Sequence, residues 1–233
     1  MANTYLTRTL GTPTLATKAT CSMWFKLAEP TGQNTLIASD GNAAAFYLHS
    51  NSTLRIYNVD SSALTTNRVF RDTSAWYHLV VAIDTTQVTA SNRVKVYING
   101  IQETSFSAAS YPNQNSSSAL GNATAHFVGA NTGSANYFNG LMSYVAFVDG
   151  TAELPTIFGE TDSVTGQWKI KTDITPSVAW GTNGFLILKN GNSLTDESTN
   201  TNNFTLGGGT LTNTLDCPDN VFATMNSLNS YWA

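Results

Sequence analysis

The segment Arg93-Val94-Lys95-Val96-Tyr97-Ile98-Asn99-Gly100 indicates the fold most directly. Its apolar side chains alternate with longer polar ones, which is the two-residue period of a half-buried β-strand. The closing Asn99-Gly100 pair favours a type I′ turn, because both central positions of that turn need a positive φ angle. A return strand is expected over 101–106, so the segment predicts an antiparallel hairpin. The side chains expected to face the core are Val94, Val96 and Ile98.

The same period recurs along most of the chain. It predicts a strand over 20–26 with Cys21, Met23 and Phe25 on one face. Further strands are predicted over 45–48, 54–57, 76–83, 125–129, 141–148 and 184–188. No segment carries a helical apolar stripe longer than two turns. Short strands with regular turn residues are typical of an all-β, two-sheet antiparallel β-sandwich of the jelly-roll kind.

The composition and charge of the chain limit the kinds of partner that we expect it to bind. The 233 residues are 41% hydrophobic and 11% aromatic, so the chain can bury a core although only 11% of it is charged. The net charge of −4 and pI of about 5.2 give no electrostatic footprint for nucleic acid. No stretch approaches the roughly 18 apolar residues of a membrane span, so membrane insertion is not expected.

The last third of the chain differs from the rest in net charge and composition. Residues 1–149 have a net charge of +1, whereas residues 150–233 have −5 and include a long Asn-, Thr-, Ser- and Gly-rich run over 190–214. We therefore predict a β-sandwich over 1–150 and an irregular extension over 151–233. The extension is expected to pack on the sandwich or on a neighbouring subunit. Trp168 and Trp180 would either hold it to the sandwich or contact another subunit.

Several motifs occur in an order that resembles the laminin-G-like, concanavalin A-like lectin/glucanase superfamily. Together they cover about residues 20–150. The motifs are Trp76-Tyr77-His78-Leu79-Val80-Val81, the hairpin strand quoted above, Phe127-Val128-Gly129-Ala130, and Tyr137-Phe138-Asn139-Gly140-Leu141-Met142-Ser143-Tyr144-Val145. The resemblance implies a concanavalin A-like sandwich.

Motifs of the extension resemble large structural proteins of marine bacteriophages. They are Phe158-Gly159-Glu160-Thr161-Asp162, Thr165-Gly166-Gln167-Trp168-Lys169, Gly181-Thr182-Asn183-Gly184-Phe185 and Asp216-Cys217-Pro218-Asp219-Asn220. This resemblance implies a fibre, spike or decoration protein of the virion surface, assembled in the host cytoplasm. It also implies a homo-oligomer, with trimers common among such fibres. The implied partners are a host-surface glycan and other virion proteins.

A glycan site needs an aromatic ring for the sugar face beside polar groups on rigid loops. The first candidate is the loop over 129–139, with Asn131, Asn136 and Tyr137. Asp40 and Asn42 form a second candidate and Tyr111 a third. Ordinary turn chemistry, which favours Asn, Asp and Gly without any ligand, is the alternative for each.

A calcium site is a separate implication of the resemblance. Related laminin-G domains hold Ca²⁺ with carboxylates and carbonyls at the rim of the sandwich. The oxygen ligands that correspond here would be Asp40, Asp60 and Asn136. No other cofactor is expected.

The acidic residues indicate whether glycosidase activity is expected, because the superfamily includes glycosidases. Its glucanases carry an E-x-D-x-x-E pattern, and here Glu160 and Asp162 begin it but Thr165 replaces the last acid. His49, His78 and His126 are scattered. We therefore expect a non-catalytic, glycan-binding protein of the virion surface. A structural decoration module, suggested by the acidic extension and the aromatic C-terminus, and a glycan-degrading enzyme remain the alternatives.

Overall fold

The fold is described from a computed structural model, which covers residues 3–40, 44–58, 62–132 and 135–220. No helix within these ranges is long and apolar enough to cross a membrane. They contain short 3₁₀ helices at Ala90–Asn92, Pro155–Ile157 and Thr175–Ser177, and the following strands: β1 (Tyr5–Thr9), β2 (Lys18–Leu27), β3 (Asn34–Ser39), β4 (Ala45–Leu48), β5 (Thr53–Tyr57), β6 (Ala63–Val69), β7 (Tyr77–Asp84), β8 (Val94–Ile98), β9 (Ile101–Glu103), β10 (Phe106–Ser110), β11 (Ala125–Val128), β12 (Gly140–Asp149), β13 (Gly159–Thr161), β14 (Trp168–Ile170), β15 (Phe185–Ile187) and β16 (Thr205–Gly208).

Two large antiparallel sheets form a sandwich. The eight-stranded sheet has the order β10-β6-β5-β4-β3-β11-β1-β16, and the six-stranded sheet has the order β15-β12-β2-β7-β8-β9. The strands β13 and β14 form a separate small hairpin. The predicted fold class is confirmed.

The main core lies between the two sheets. Cys21, Met23 and Phe25 of β2 and the predicted inward residues of β8 all belong to it. The turn after β8 has φ angles of 50° at Asn99 and 79° at Gly100, as the type I′ turn requires. Cys21 and Cys217 are both free thiols.

The extension adds one strand to each sheet. β15 pairs with β12 at the edge of the six-stranded sheet. β16 pairs with β1 at the edge of the eight-stranded sheet. The residues after 150 therefore complete both layers of the sandwich, while a division of the chain into domains at this point stays a prediction.

A second apolar cluster covers the outer face of the six-stranded sheet. Trp24, Tyr97 and Tyr144 project from that face, and side chains of the extension, among them Phe158 and Trp180, pack on them. Tyr97 points outward as predicted, but it is only 7% exposed because the extension lies over it. Trp168 and Trp180 both pack on the sandwich.

His78 lies at the centre of a buried polar network on this face. The Trp168 Nε1–H donates to His78 Nδ1 at 2.9 Å. His78 Nε2 lies 2.9 Å from Ser22 Oγ, and the imidazole stacks on Trp24 with ring centroids 4.6 Å apart. Because an indole nitrogen can only donate, Nδ1 must accept, and Nε2 carries the proton of the neutral ring. A protonated imidazole would lose the hydrogen bond from Trp168.

This burial makes the stability of the fold sensitive to acid. Burial lowers the pKa of His78 from 6.5 to about 3. The unfolded chain therefore binds an additional proton below pH 6.5, and the free energy of unfolding decreases by up to about 1.4 kcal/mol per pH unit down to about pH 3. In denaturant titrations, we expect His78→Gln to have a shallower pH dependence than the wild type between pH 6.5 and 4. Identical slopes would show that His78 does not titrate in this way.

Candidate ligand-binding site

A cleft of about 450 Å³ opens at one end of the sandwich. We call it the rim cleft. Its walls are the start of β1, Trp76, the end of β11 with Gly129, the segment 137–143 that leads into β12, and two parts of the extension within 188–192 and 210–220. The sandwich supplies one side and the extension the other, so the cleft exists only because both are present.

Aromatic rings line the sandwich side of the rim cleft. Tyr5 and Tyr137 are half-buried, and their ring centroids lie 6.1 Å apart. The Tyr5 ring lies against the backbone of β16, where a Cβ at Gly207 or Gly208 would overlap it. The Gly-rich run in the extension therefore permits this close approach. Trp76 stands before the apolar run of β7, where a core position would be expected, but it is half-buried and lines the cleft.

Asp216 links the extension to the sandwich across the rim cleft. It accepts hydrogen bonds from Lys26 Nζ at 2.7 Å and from Trp76 Nε1 at 2.9 Å. The bond from Lys26 is the main reason that the pKa of Asp216 is lowered. The polar sequence around Asp216 is typical of a solvated carboxylate, but both of its partners lie on the sandwich, far away in sequence.

Beside the rim cleft, β12 is joined to the extension by two residues in unusual backbone conformations. Tyr144 has φ 49° and Leu188 has φ 56°, both in the left-handed region that bulky side chains rarely adopt. The Tyr144 N–H donates to the Leu188 carbonyl at 3.1 Å, and the Tyr144 hydroxyl donates to Asp219 at 3.4 Å. Burial, followed by the Asp219 charge, raises the pKa of Tyr144 to about 12. Strain of this kind concentrates at functional sites.

The first predicted glycan loop lies at this end of the sandwich. Tyr137 lines the rim cleft, while Asn131 and Asn136 lie in the same loop outside its walls. Asn131 forms a bridge with Ala135, and its Oδ1 is buried without a hydrogen-bond partner among the described residues. Asn136 has φ 52°, and its carbonyl accepts from the Thr35 N–H at 3.1 Å.

The remaining predicted site residues do not join this loop. Asp40 follows the far end of β3 from Thr35, so it lies about 16 Å from Asn136 at the usual rise per residue of a strand. Tyr111 follows β10 at that same far end and packs partly on the main core. Asn42 and Asp60 lie outside the described residues. Asp40 and Asn136 thus cannot bind one Ca²⁺ ion together. Within the described ranges, no three His, Cys, Asp or Glu residues are grouped to hold a metal.

Three further acidic residues have structural roles within the extension. Glu160 and Asp162 lie in the small hairpin, and both pair with Lys169, at 3.4 and 3.2 Å. Asp196 lies in the Thr- and Asn-rich part of the extension, where a solvated side chain would be expected, but it is buried. It accepts hydrogen bonds from the N–H groups of Leu186, Ser198 and Asn202 and from the Ser198 hydroxyl. No histidine is among the described residues that line the rim cleft.

The two-sheet sandwich with a cleft at its rim defines a lectin-like fold. Residues 2–157 match the family model described as the concanavalin A-like lectin/glucanases superfamily. This match covers more than half of the chain, and the protein belongs to that superfamily. No curated protein sequence matches the chain.

Several solved structures are similar to the chain at low sequence identity. A candidate carbohydrate binding protein from Bacteroides ovatus is 14% identical with a TM-score of 0.60, over 93% of this chain and 59% of that one. Domain 4 of AbnA, an extracellular arabinanase from Geobacillus stearothermophilus solved with arabinotriose, is 21% identical with a TM-score of 0.43, over 61% and 65%. The LG4-5 domains of the mouse laminin alpha1 chain are 10% identical with a TM-score of 0.44, over 66% and 40%. The chain thus spans 59% of the length of the Bacteroides ovatus protein.

Proposed function

We propose that this protein binds a glycan in the rim cleft and does so without catalysis. The observation that carries the proposal is the Tyr5–Tyr137 pair, with Trp76 on the same cleft. Aromatic faces bind the apolar face of a sugar ring, and the Asn and Thr side chains of 210–214 and Asn192 offer hydrogen bonds to its hydroxyl groups. The Bacteroides ovatus protein of similar fold is also described as a candidate carbohydrate binder.

The electrostatics of Asp216, a carboxylate on the wall of the cleft, support binding rather than hydrolysis. A glycosidase needs a carboxyl group whose pKa is raised, so that it can protonate the leaving oxygen. The pKa of Asp216 is shifted in the opposite direction, mainly by its bond with Lys26. Asp216 is therefore suited to holding the wall of the cleft and poorly suited to acting as a general acid.

The biological setting of the proposal is the surface of a bacteriophage virion. The motifs of residues 158–220 that resemble virion structural proteins support it. In this setting the protein is a homo-oligomeric tail or capsid adhesin that attaches to a host-surface glycan and contacts other virion proteins. If the protein binds neither host cells nor glycans, the function as a decoration module is favoured instead.

The proposal predicts that Tyr137 is needed for glycan binding and that Tyr111 is not. Tyr137→Ala should weaken binding to host cells and to glycan arrays about tenfold, because it removes one stacking ring. Tyr111→Ala is the matched control, since Tyr111 lies at the opposite end of the sandwich. Thermal unfolding of both variants separates loss of binding from loss of fold.

Two outcomes would contradict the proposal. Equal losses in both variants at unchanged stability would place the site elsewhere than the rim cleft. Release of reducing sugar from host polysaccharide by the wild-type protein would contradict the non-catalytic part.

A further inference from the structure

The eight-stranded sheet carries positive charge in a protein that is negative as a whole. Its strands contain Arg8, Arg55 and Arg68 but no Asp or Glu. The whole chain has a net charge of −4. An anionic ligand would therefore meet a more favourable surface on this sheet than on the acidic extension.

Two of these arginines have structural partners and the third does not. Arg8 donates to the Asn203 carbonyl and to Asn202 Oδ1, each at 2.7 Å. Arg68 Nε donates to Glu103 at 2.8 Å. Arg55 makes no hydrogen bond or ion pair with the described part of the chain, and its Nε is buried without a partner. Arg8 Nε is also buried without a partner, but the two other hydrogen bonds of Arg8 offset its cost, whereas Arg55 has none. Stability therefore does not account for Arg55.

The strand register places Arg55 on the outer face of the sandwich. Leu54 and Ile56, on either side of it, lie in the main core, and successive side chains of a strand point to opposite faces. Arg55 is directly opposite Tyr47 on β4 and Thr65 on β6. These three side chains therefore form one row across three neighbouring strands.

Further polar rings flank this row. The imidazole of His49 contacts Tyr47 edge-on, with ring centroids 5.0 Å apart. Tyr57 lies two residues beyond Arg55 on the same face of β5. All members of the group are partly exposed. We call this group the Arg55 patch; it consists of Tyr47, His49, Arg55, Tyr57 and Thr65.

His49 lies close enough to Arg55 to sense its charge. Burial lowers the pKa of His49, and the positive charge of Arg55 lowers it further. His49 is therefore neutral at pH 7, where it provides a hydrogen-bonding ring and leaves Arg55 as the one cation of the patch.

We propose that the Arg55 patch binds the carboxylate of an acidic sugar, at a second site separate from the rim cleft. Because Nε is buried, the terminal Nη atoms of Arg55 face the ligand, and a guanidinium binds a carboxylate with two parallel hydrogen bonds. The phenol groups, the imidazole and the Thr65 hydroxyl bind hydroxyl groups of the same ring. The inference rests on the proposed glycan-binding function and names the class of glycan.

The test compares one oligosaccharide in two forms. A glucuronate-containing oligosaccharide and its carboxyl-reduced, neutral counterpart are titrated into the full chain by calorimetry. We expect the acidic form to bind about tenfold more tightly. Arg55→Gln should remove this difference, and Arg68→Gln, a matched loss of an arginine from the same sheet, should preserve it. Equal affinity of the two forms for the wild type overturns the inference while the proposed function stands.

A second readout locates the ligand at the patch itself. The pKa of His49, followed by NMR, should rise in Arg55→Gln and also when glucuronate is added to the wild type, because both changes remove the effect of the Arg55 charge. An unchanged His49 at saturating glucuronate overturns the inference. The same rise with sodium sulfate at equal concentration would indicate a general oxyanion site and overturn the assignment to a sugar. If no oligosaccharide binds at all, the proposed function fails, and the glucuronate titration decides the patch separately.

Discussion

Replacing Gly181 by alanine is expected to destabilise the fold by about 3 kcal/mol or more, because two penalties add. Gly181 has φ +67°, and a Cβ there would overlap the backbone carbonyl oxygen of Asp149 and lie close to Thr14 Oγ1. The extension crosses the end of β12 at this point, where the Asp149 N–H donates to the Trp180 carbonyl at 3.0 Å. An added methyl group must push the two backbones apart.

Gly166 provides the control for this substitution. It has φ +70°, nearly the same backbone conformation, but nothing lies within 4 Å of a Cβ placed there. Gly166→Ala should therefore cost only about 1 kcal/mol, from the left-handed backbone alone. In thermal unfolding, a chain of this size loses about 2–4 °C per kcal/mol. Equal shifts of Tm for the two variants would show that the extension does not approach β12 as closely as described.

Removal of the Asp196 carboxylate is expected to have a similarly large effect. Its two oxygens accept three backbone N–H groups and one hydroxyl at 2.8–2.9 Å, and one of those donors is Leu186 of β15. Asp196→Ala leaves these buried donors without partners, which should cost about 4 kcal/mol. Chemical denaturation measures the loss.

Two further variants test whether the loss of stability is specific to the Asp196 carboxylate. Asp173 is exposed and also lies in the extension, so Asp173→Ala should change the free energy of unfolding by less than about 0.5 kcal/mol. Asp196→Asn keeps one acceptor oxygen but turns an amide group toward the other donors, so an intermediate loss is expected. If Asp196→Ala were as harmless as Asp173→Ala, the hydrogen bonds to Asp196 would not hold the extension in place.

The strands that sequence reasoning predicted include those with a strong apolar period or a continuous apolar run. β8 alternates Val94, Val96 and Ile98 with polar residues and β2 has a similar pattern, whereas β7 and β12 are mostly apolar runs. β16, with the sequence Thr-Leu-Gly-Gly, has no such pattern. It forms because β1 offers a free edge and because glycine lets its backbone lie on Tyr5. Edge strands of this kind are defined by their partner, which a local pattern cannot indicate.

Only one wall of the rim cleft could be predicted from the sequence. The loop with Tyr137 carries the Asn and Gly residues that rigid binding loops favour, so the sequence indicated it. Trp76 precedes a long apolar strand and therefore resembles a core residue. Asp216 lies in a polar segment without any period, and its partner Lys26 is 190 residues away along the chain. No local signal connects two such residues, so the opposite wall could not be predicted.

The Arg55 patch shows a different limit of sequence reasoning. An arginine between two inward apolar residues has the pattern of an ordinary solvated side chain on a sheet. Its unusual property is that none of its side-chain nitrogens has a hydrogen-bond partner among the described residues, together with two flanking tyrosines. Both depend on the register of neighbouring strands, which becomes known only when the sheet is assembled.

The pairing of β1 with β16 also governs when this edge of the sandwich can form. Tyr5 lies opposite Gly208, so β1 leaves the ribosome long before the strand with which it pairs. Closing so long a stretch of chain is slow, and until then one edge of β1 is open to pairing with another chain. Synthesis of β16 therefore closes this edge of β1 to pairing with other chains.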